Sequence, residues 1–317
     1  MKKIDVLLAT YNGEKYIAEQ IESILINFYK VPEYDCRILI SDDCSTDKTV
    51  EIILELSKSD NRITLIDANK KGGVKENFSY LMKSSNADYM FFCDQDDFWL
   101  PSKIELFIHK FISLENEYSG PLLIHSDLCV TNGMLSPKSE SMFKYQNLNS
   151  NPTFNELIVS NSVTGCVMAC NKALLEIANE SSISESIMHD WYLGLIAKHF
   201  GRIIFIDNSL ILYRQHGGNQ VGAKSFKLSE VLKISKMKYN YLKAKESIIN
   251  TQDQTRLFLK DFSKKIDADR LKSLIQFSES EDTSTLNRLS LFFYHGFKKK
   301  GFIRNVIFFY LFVIKAL

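Results

Sequence analysis

The sequence predicts an α/β fold whose first hundred residues form a Rossmann-like half-domain. Four short apolar runs, at 4–9, 37–41, 63–66 and 89–93, have the length and composition of buried strands. They alternate with stretches in which apolar residues recur at helical spacing, on one face of each stretch. Such alternation is typical of a parallel sheet with helices between its strands.

Further strands are expected at 122–131, 202–206 and 210–213, with a helix over 187–200. Between them, the polar stretch 132–152 is expected to be a mobile loop that acts as a lid. A chain of 317 residues accommodates one large domain and a smaller appendage. We therefore predict a catalytic domain over 1–222 and a helical C-terminal region over 223–317.

The end of the C-terminal region has a composition typical of a membrane-surface helix. Residues 286–317 contain six lysines and arginines and no acid, together with many aromatic residues. The apolar run 306–314 has nine residues, well short of the eighteen or more that a spanning helix needs. The pattern predicts a basic amphipathic tail that associates with anionic lipid. The alternative is a helical cap whose apolar face packs against the catalytic domain.

Composition narrows the class of protein. A net charge of +1 provides no basic field for nucleic acid, so no nucleic-acid partner is expected. The six cysteines lack paired C-x-x-C spacing, which favours buried free thiols and a reducing compartment. The first apolar run is too short for a signal peptide. These observations predict a cytoplasmic protein with its oligomeric state open, and the basic tail adds an expected association with the inner face of the cell membrane.

Three motifs, two of them acidic, follow the predicted strands. The stretches LLATYNG, SDDCSTD and DQDDFW each end an apolar run, at the sheet edge where open α/β proteins bind ligands. Asp94, Asp96 and Asp97 fall within four positions and would repel one another without a cation or hydrogen-bond donors. Oxygen ligands of this kind suit a divalent metal that carries a diphosphate.

Seven motifs in order carry a family resemblance over about the first 220 residues. TYNG, DDCSTD, NKKGGVKENF, DQDDFWLP, TGCVM, HDWYLGLIAKHFG and YRQHGGN together resemble the family 2 glycosyltransferases of GT-A fold. The closest resemblance is to bacterial rhamnosyltransferase-like enzymes of surface-polysaccharide assembly, such as O-antigen or capsule. The resemblance implies inverting, metal-dependent transfer of a sugar from a nucleotide diphosphate sugar to a hydroxyl.

The resemblance also implies a nucleotide site. Asp43 matches the acid that accepts the imide N–H of uracil or thymine, and Asp42 would support it or the ribose. Taken alone, these two acids would more often be helix-capping residues. Arg214 is suited to bidentate pairing with phosphate oxygens. The remaining predicted nucleotide contacts are Thr10, Tyr11, Asn12, Gly73, Lys75 and Asp94.

The resemblance further assigns metal and catalytic roles. Asp96 would bind Mn²⁺ or Mg²⁺, and His216 is a second candidate ligand, with a purely structural role as its alternative. Asp97 is an extra ligand or a support for the loop. Asp190 matches the general base of inverting members, while the alternative is that it caps its helix. His189 and Trp191 are expected to shape the acceptor pocket.

Competing functions are weighed against these motifs. A catalytically inactive nucleotide-sugar-binding protein is the main alternative, and both Asp96 and Asp190 argue against it. A nucleotidyltransferase would differ by the product released, and a dehydrogenase would need a G-x-G-x-x-G turn that the first strand lacks. The chain also lacks the Gln-x-x-Arg-Trp motif of processive synthases, so single addition is expected. The donor is dTDP-rhamnose or a UDP-hexose, and the acceptor a lipid-linked oligosaccharide.

Overall fold

The computed structural model describes residues 1–217 and 237–314, which form two compact units. Unit 1 comprises Met1–Tyr145, Val163–Ser184 and Met188–Ala223, and unit 2 comprises Gln146–Ser162, Glu185–Ile187 and Lys224–Leu317. The predicted domain boundary at 222 falls outside the described residues. Unit 2 also takes in two stretches from the first 222 residues, because chain segments far apart in sequence pack together.

Unit 1 is built on one nine-stranded mixed sheet. Its strands run in the order β3-β2-β1-β4-β8-β6-β9-β5, and β7 pairs with β6. The first four strands of this order are parallel, and β8 is antiparallel to both β4 and β6. The strands are β1 (Lys3–Thr10), β2 (Asp35–Asp42), β3 (Ile63–Asp67), β4 (Tyr89–Asp94), β5 (Phe98–Trp99), β6 (Leu122–Thr131), β7 (Pro137–Ser139), β8 (Met168–Asn171) and β9 (Arg202–Arg214).

Helices flank this sheet and make up most of unit 2. In chain order they are α1 (Ile17–Phe28), α2 (Thr49–Ser59), α3 (Val74–Ser84), α4 (Lys103–Glu115), α5 (Met142–Gln146), α6 (Phe154–Val159), α7 (Lys172–Asn179), α8 (His189–Phe200), α9 (Met237–Phe262), α10 (Ala268–Ser278), α11 (Thr285–Phe293) and α12 (Phe302–Phe309). A π-helical turn, Tyr310–Ile314, follows α12 directly. None of the described helices is long and apolar enough to cross a membrane.

Strand register places the predicted site. On β1, Thr10 lies opposite Asp42 of β2, and Ala9 lies opposite Asp94 of β4. Because these strands are parallel, their carboxyl ends meet at one edge of the sheet. Strands β1, β2 and β4 are buried almost throughout, which explains their continuous apolar runs. The motifs that follow β1, β2 and β4 therefore lie at one edge of the sheet, as predicted.

Two local predictions differ from the structure. The predicted strands 202–206 and 210–213 are one strand, β9, which keeps its pairing with β6 through register irregularities. The stretch 132–152 is not a single loop, because it contains β7 and α5. The buried carboxylate of Asp127 on β6 accepts the backbone N–H groups of Met142 (2.9 Å) and Phe143 (3.2 Å) and so holds the first turn of α5. This contact spans about fifteen residues and leaves no periodic signal.

Candidate active site

The loop after β2 is fixed by Asp42. Its carboxylate accepts hydrogen bonds from Thr10 Oγ1 (2.8 Å), the Ser45 backbone N–H (2.7 Å) and Ser45 Oγ (2.5 Å). Thr10 and Asp42 are both buried. Asp42 therefore holds the ends of β1 and β2 together, and a direct nucleotide contact by either residue stays a prediction.

Tyr11 and Asn12 form the turn after β1. The Gln95 side chain binds both backbone groups of Tyr11, accepting from its N–H and donating to its carbonyl at 2.8 Å each, while the Tyr11 ring is 54% exposed. Asn12 has a φ of 48°, and its Oδ1 accepts the Thr46 backbone N–H at 2.9 Å. The turn thus presents an aromatic ring at the sheet edge on a clamped backbone.

Asp43 faces the glycine turn before α3. Its Oδ1 accepts the backbone N–H groups of Lys71 and Gly72, whereas its Oδ2 accepts no hydrogen bond from the described residues. Gly72 and Gly73 have φ values of 103° and 135°, which suit glycine, and Lys75 follows in the first turn of α3. One Asp43 oxygen is thus oriented by the protein, and the contact of this carboxylate with an imide N–H stays a prediction.

The acids after β4 form a group with ligand geometry. Carboxylate oxygens of Asp94 and Asp97 lie with the Cys166 sulfur within 4.8 Å of one another. Asp97 Oδ1 accepts the Arg214 backbone N–H at 3.0 Å, while its buried Oδ2 has no hydrogen-bond partner among the described residues. An orphaned buried carboxylate oxygen beside a second carboxylate fits a hard divalent cation. Burial raises the pKa of the Cys166 thiol well above its ordinary value, so the two carboxylates are the suitable ligands.

The pKa values of these acids are raised by burial and by their acidic neighbours, and Asp190 is one of those neighbours for Asp94. Burial, the charge of Asp96 and the charge of Asp190 together raise the pKa of Asp94 to about 7. Burial and its acidic neighbours also raise the pKa of Asp97 well above its ordinary value. Both effects require that the carboxylates share one poorly solvated site. The structure thus brings together the predicted metal-binding acids and the predicted base.

Asp96 and His216, the two predicted metal ligands, contact each other. Asp96 Oδ2 and His216 Nε2 are 2.6 Å apart, and the imidazole packs 4.9 Å from the ring of Tyr16. Two adjacent donor atoms are compatible with a shared cation. They are equally compatible with the imidazole orienting the carboxylate.

Arg214 is buried and its guanidinium is bound by protein groups. Nε donates to the Asp96 carbonyl (2.8 Å), NH1 donates to the Gly133 carbonyl (2.9 Å), and NH2 forms an ion pair with Glu19. The side chain thus fixes the loop that carries Asp96 and Asp97. Phosphate binding by Arg214 stays a prediction.

Asp190 lies in the first turn of α8. Oδ2 accepts the Gly165 backbone N–H at 3.0 Å, and Oδ1 accepts the Trp191 backbone N–H at 2.6 Å. Two backbone donors therefore hold the carboxylate in a fixed orientation. His189, by contrast, is buried between Phe78 and Phe92, with ring centroids 4.1 and 5.8 Å away, and burial lowers its pKa to about 3. It packs in the interior rather than shaping an open pocket.

Lys103 is a buried cation that the sequence analysis did not single out. Its Nζ donates to the Cys166 carbonyl at 2.9 Å and lies 3.2 Å from the centroid of the Trp99 ring. Burial lowers the pKa of Lys103 to about 7, against the influence of nearby acidic groups that include Asp94 and Asp97. The sequence does contain a signal for this burial, because Lys103 lies on the same helical face as the apolar residues Ile104, Phe107 and Phe111.

The fold and this acidic sheet edge define a glycosyltransferase of GT-A type. The chain belongs to glycosyl transferase family 2, which matches residues 5–176. The matched region contains both acidic motifs, and Asp190, Arg214 and His216 lie beyond it. The predicted family, enzyme class and fold are thereby confirmed.

Known proteins with similar sequence or fold include several glycosyltransferases. The chain is 35% identical over 234 residues to the dTDP-rhamnosyl transferase RfbG of Shigella flexneri, covering 69% of this chain and 75% of RfbG. WfaP of Escherichia coli, a UDP-Glc:alpha-D-GlcNAc-diphosphoundecaprenol beta-1,3-glucosyltransferase, is 28% identical over 239 residues, covering 72% of this chain and 82% of WfaP. The crystal structure of S. aureus TarS 1-349 in complex with UDP-GlcNAc aligns with a TM-score of 0.51 at 18% identity, covering 91% of this chain and 83% of TarS 1-349.

Proposed function

We propose that the protein is an inverting, metal-dependent, non-processive glycosyltransferase of surface-polysaccharide assembly. The observation that carries this proposal is the clustering of the acids at the sheet edge: carboxylate oxygens of Asp94 and Asp97 lie within 4.8 Å of each other. Burial, together with the charges of Asp96 and Asp190, raises the pKa of Asp94 to about 7. A metal-side acid and a base within one poorly solvated site are what a single displacement at an anomeric carbon requires.

The donor is a nucleotide diphosphate sugar, either dTDP-rhamnose or a UDP-hexose. The exposed Tyr11 ring offers a stacking surface for a pyrimidine, and Asp43 Oδ2 offers an acceptor for its imide N–H. RfbG is a dTDP-rhamnosyl transferase and WfaP uses UDP-Glc, and the bases of both nucleotides carry that imide. A guanine or cytosine nucleotide would present a different hydrogen-bonding edge to Asp43.

Mn²⁺ or Mg²⁺ is the expected cofactor. Asp96 would hold it, with Asp97 as an extra ligand. Asp94, which the sequence predicted as a nucleotide contact, is added as a ligand because its carboxylate lies within 4.8 Å of that of Asp97. His216 would be a further ligand or the group that orients Asp96. When bound, the ion neutralises charge on the departing nucleoside diphosphate. Arg214 keeps the Asp96 and Asp97 backbone in place, so the ligand atoms need little reorganisation.

Asp190 acts as the general base. Its carboxylate takes the proton of the acceptor hydroxyl while that oxygen forms a bond to the anomeric carbon and the bond to the diphosphate breaks. The two backbone N–H groups that bind Asp190 hold one fixed direction for proton transfer. One displacement inverts the configuration of the sugar.

The acceptor is a hydroxyl of a lipid-linked oligosaccharide in O-antigen, capsule or a related polymer. The relative WfaP acts on such a lipid diphosphate acceptor, alpha-D-GlcNAc-diphosphoundecaprenol. We infer that the present enzyme works in the cytoplasm, peripherally associated with the inner face of the cell membrane. The basic aromatic tail supports this location.

The test is donor binding and hydrolysis across a panel of nucleotide sugars, with and without Mn²⁺. Native protein is compared with Asp96→Ala and Asp190→Asn. We expect one donor to bind to the native protein when metal is present, and this binding to be lost in Asp96→Ala. Asp190→Asn should still bind the donor, but its turnover rate should fall about 10²–10⁴-fold. Failure of every nucleotide sugar to bind would refute the proposal, and binding without turnover by the native enzyme would indicate a binding protein.

A further inference from the structure

The end of unit 2 leaves a row of apolar side chains in solvent. Phe302, Val306, Tyr310 and Ile314 recur every four residues along α12 and its π-helical turn and are 83%, 49%, 45% and 57% exposed. We call these four residues the exposed row. Phe293, at the end of α11, adds a further exposed ring. Contiguous apolar surface of this kind typically marks an interaction site.

The other side of the same segment is already used for packing. Phe308, Leu311, Phe312 and Val313 are buried, and the Phe312 ring lies 5.1 Å from Phe308 and 5.4 Å from Phe277 of α10. The guanidinium of Arg288 is also buried and donates to the Val313 carbonyl at 3.2 Å. One face of the tail therefore anchors it within unit 2, and the exposed row is not needed for that packing.

A cation lies at the edge of the apolar surface. Lys298 Nζ lies 5.3 Å from the ring centroid of Phe292 and 5.5 Å from that of Phe293, so a charge lies over the aromatic pair. Lys300, two residues further along the chain, is exposed, and its Nζ donates to the Leu148 carbonyl. No acidic residue occurs in 286–317. Exposed apolar surface in a segment that carries lysines and no acid complements the headgroup and acyl boundary of an anionic bilayer.

We propose that the exposed row, Lys298 and Lys300 form the surface by which the enzyme binds an anionic lipid bilayer. The α12 helix and its π-helical turn lie along the membrane, with the exposed row in the acyl boundary and the two lysines at the phosphate level. This inference deepens the proposed function, on which it rests for the lipid-linked acceptor. The buried face stays on the protein, so binding does not require the tail to unfold.

The experiment is vesicle flotation of the full chain, with phosphatidylcholine vesicles that contain or lack phosphatidylglycerol. We expect native protein to float only with the anionic vesicles. The triple variant Phe302→Ser, Val306→Ser, Tyr310→Ser should lose at least about tenfold in partitioning. The matched control is Leu242→Ser, a comparably exposed apolar residue on α9, which should partition like the native protein.

A charge variant separates the two parts of the surface. Lys298→Gln with Lys300→Gln should weaken binding to anionic vesicles by about fivefold for each lysine, and added salt should weaken native binding in the same way. Substitution is preferable to deletion of the tail, because deletion would also remove the buried Phe308 and Phe312. Circular dichroism and thermal melting confirm that each variant is folded.

Donor hydrolysis in the same preparations keeps the two proposals distinguishable. Native protein that hydrolyses a nucleotide sugar but ignores anionic vesicles overturns the membrane surface and the peripheral location, and leaves the proposed transferase activity standing. Protein that binds vesicles but no nucleotide sugar overturns the proposed function alone. A third outcome is that the triple variant binds vesicles like the native protein, while ultracentrifugation shows a dimer for the native protein and a monomer for the variant. In that case the exposed row is a self-association surface and the membrane proposal is wrong.

Discussion

The imidazole Nε2 of His216 lies 2.6 Å from Oδ2 of Asp96, a residue 120 positions earlier in the chain. Two residues before His216, Arg214 binds the Asp96 carbonyl through Nε and Asp97 Oδ1 through its backbone N–H. The end of β9 and the acidic loop after β4 are therefore held as one structure. A metal that binds the loop also depends on the position of the β9 end.

The Asp96–His216 contact predicts that His216 contributes to metal affinity. Replacing His216 with Ala should weaken Mn²⁺ binding in the presence of nucleotide about 10–100-fold, the usual effect of removing a group that orients a ligand. Calorimetric titration with UDP or dTDP measures this. His109→Ala, on the exposed side of α4, serves as the control and should leave affinity unchanged. Equal affinity in His216→Ala would show that the contact has no part in metal binding.

The pKa of Asp94 predicts a pH dependence of metal binding. With a pKa of about 7, Asp94 is protonated at lower pH, and a proton competes with a cation for the carboxylate. Mn²⁺ affinity should fall by up to about tenfold per pH unit below pH 7 and level off above it. Titrations at several pH values check this. In Asp94→Asn, binding should be weaker and this pH dependence absent; an unchanged profile would assign it to another group.

Replacement of the buried Lys103 should shift the same pH dependence of Mn²⁺ binding. Replacing it with Met keeps the volume of the side chain but removes a positive charge that opposes the raised pKa of Asp94. The midpoint of the pH dependence of Mn²⁺ binding should therefore rise, by about half a unit to one unit. The variant loses the Nζ contact with the Cys166 carbonyl but also the cost of burying an amine whose pKa is lowered to about 7, so the midpoint and not the stability is the readout. An unmoved midpoint would show that Lys103 does not act on Asp94.

His125 predicts a pH dependence of stability that is independent of the site. It is buried beside Phe143 and Phe205, neither ring nitrogen has a partner among the described residues, and burial lowers its pKa to about 3. The unfolded chain takes up a proton near pH 6.5 while the folded chain does not. The unfolding free energy should therefore fall as pH decreases from 6.5 towards 3, by up to about 1.4 kcal/mol per pH unit for this residue.

Denaturant unfolding of His125→Phe checks that prediction. The variant should have a shallower dependence on pH over the same range and a higher stability at pH 5 than the native protein, because an apolar ring replaces an unpaired polar one. His109→Phe, at an exposed position, is the matched control. The same slope in native protein and His125→Phe would show that the folded protein accommodates a charged imidazole at this position.

Much of the fold was predictable because its signals are local. The strands β1, β2, β3 and β4 were predicted to within two residues at each end, since buried parallel strands are continuous apolar runs. The merged strand β9 and helix α5 were not predicted. They depend on pairing with β6 and on the buried Asp127, and these partners are far away in sequence.

The sequence by itself determined the family, the order of the motifs and the sheet edge at which Asp43, Asp94 and Asp96 lie, because strand periodicity and motif spacing are properties of neighbouring residues. Only the tertiary structure decided which groups those acids meet. Burial of Lys103, engagement of Arg214 by Glu19 and the pairing of Asp96 with His216 arise from packing between distant segments. Packing also decided that one face of the tail is buried while Phe302 and Tyr310 are exposed, since composition gives both faces the same apolar character.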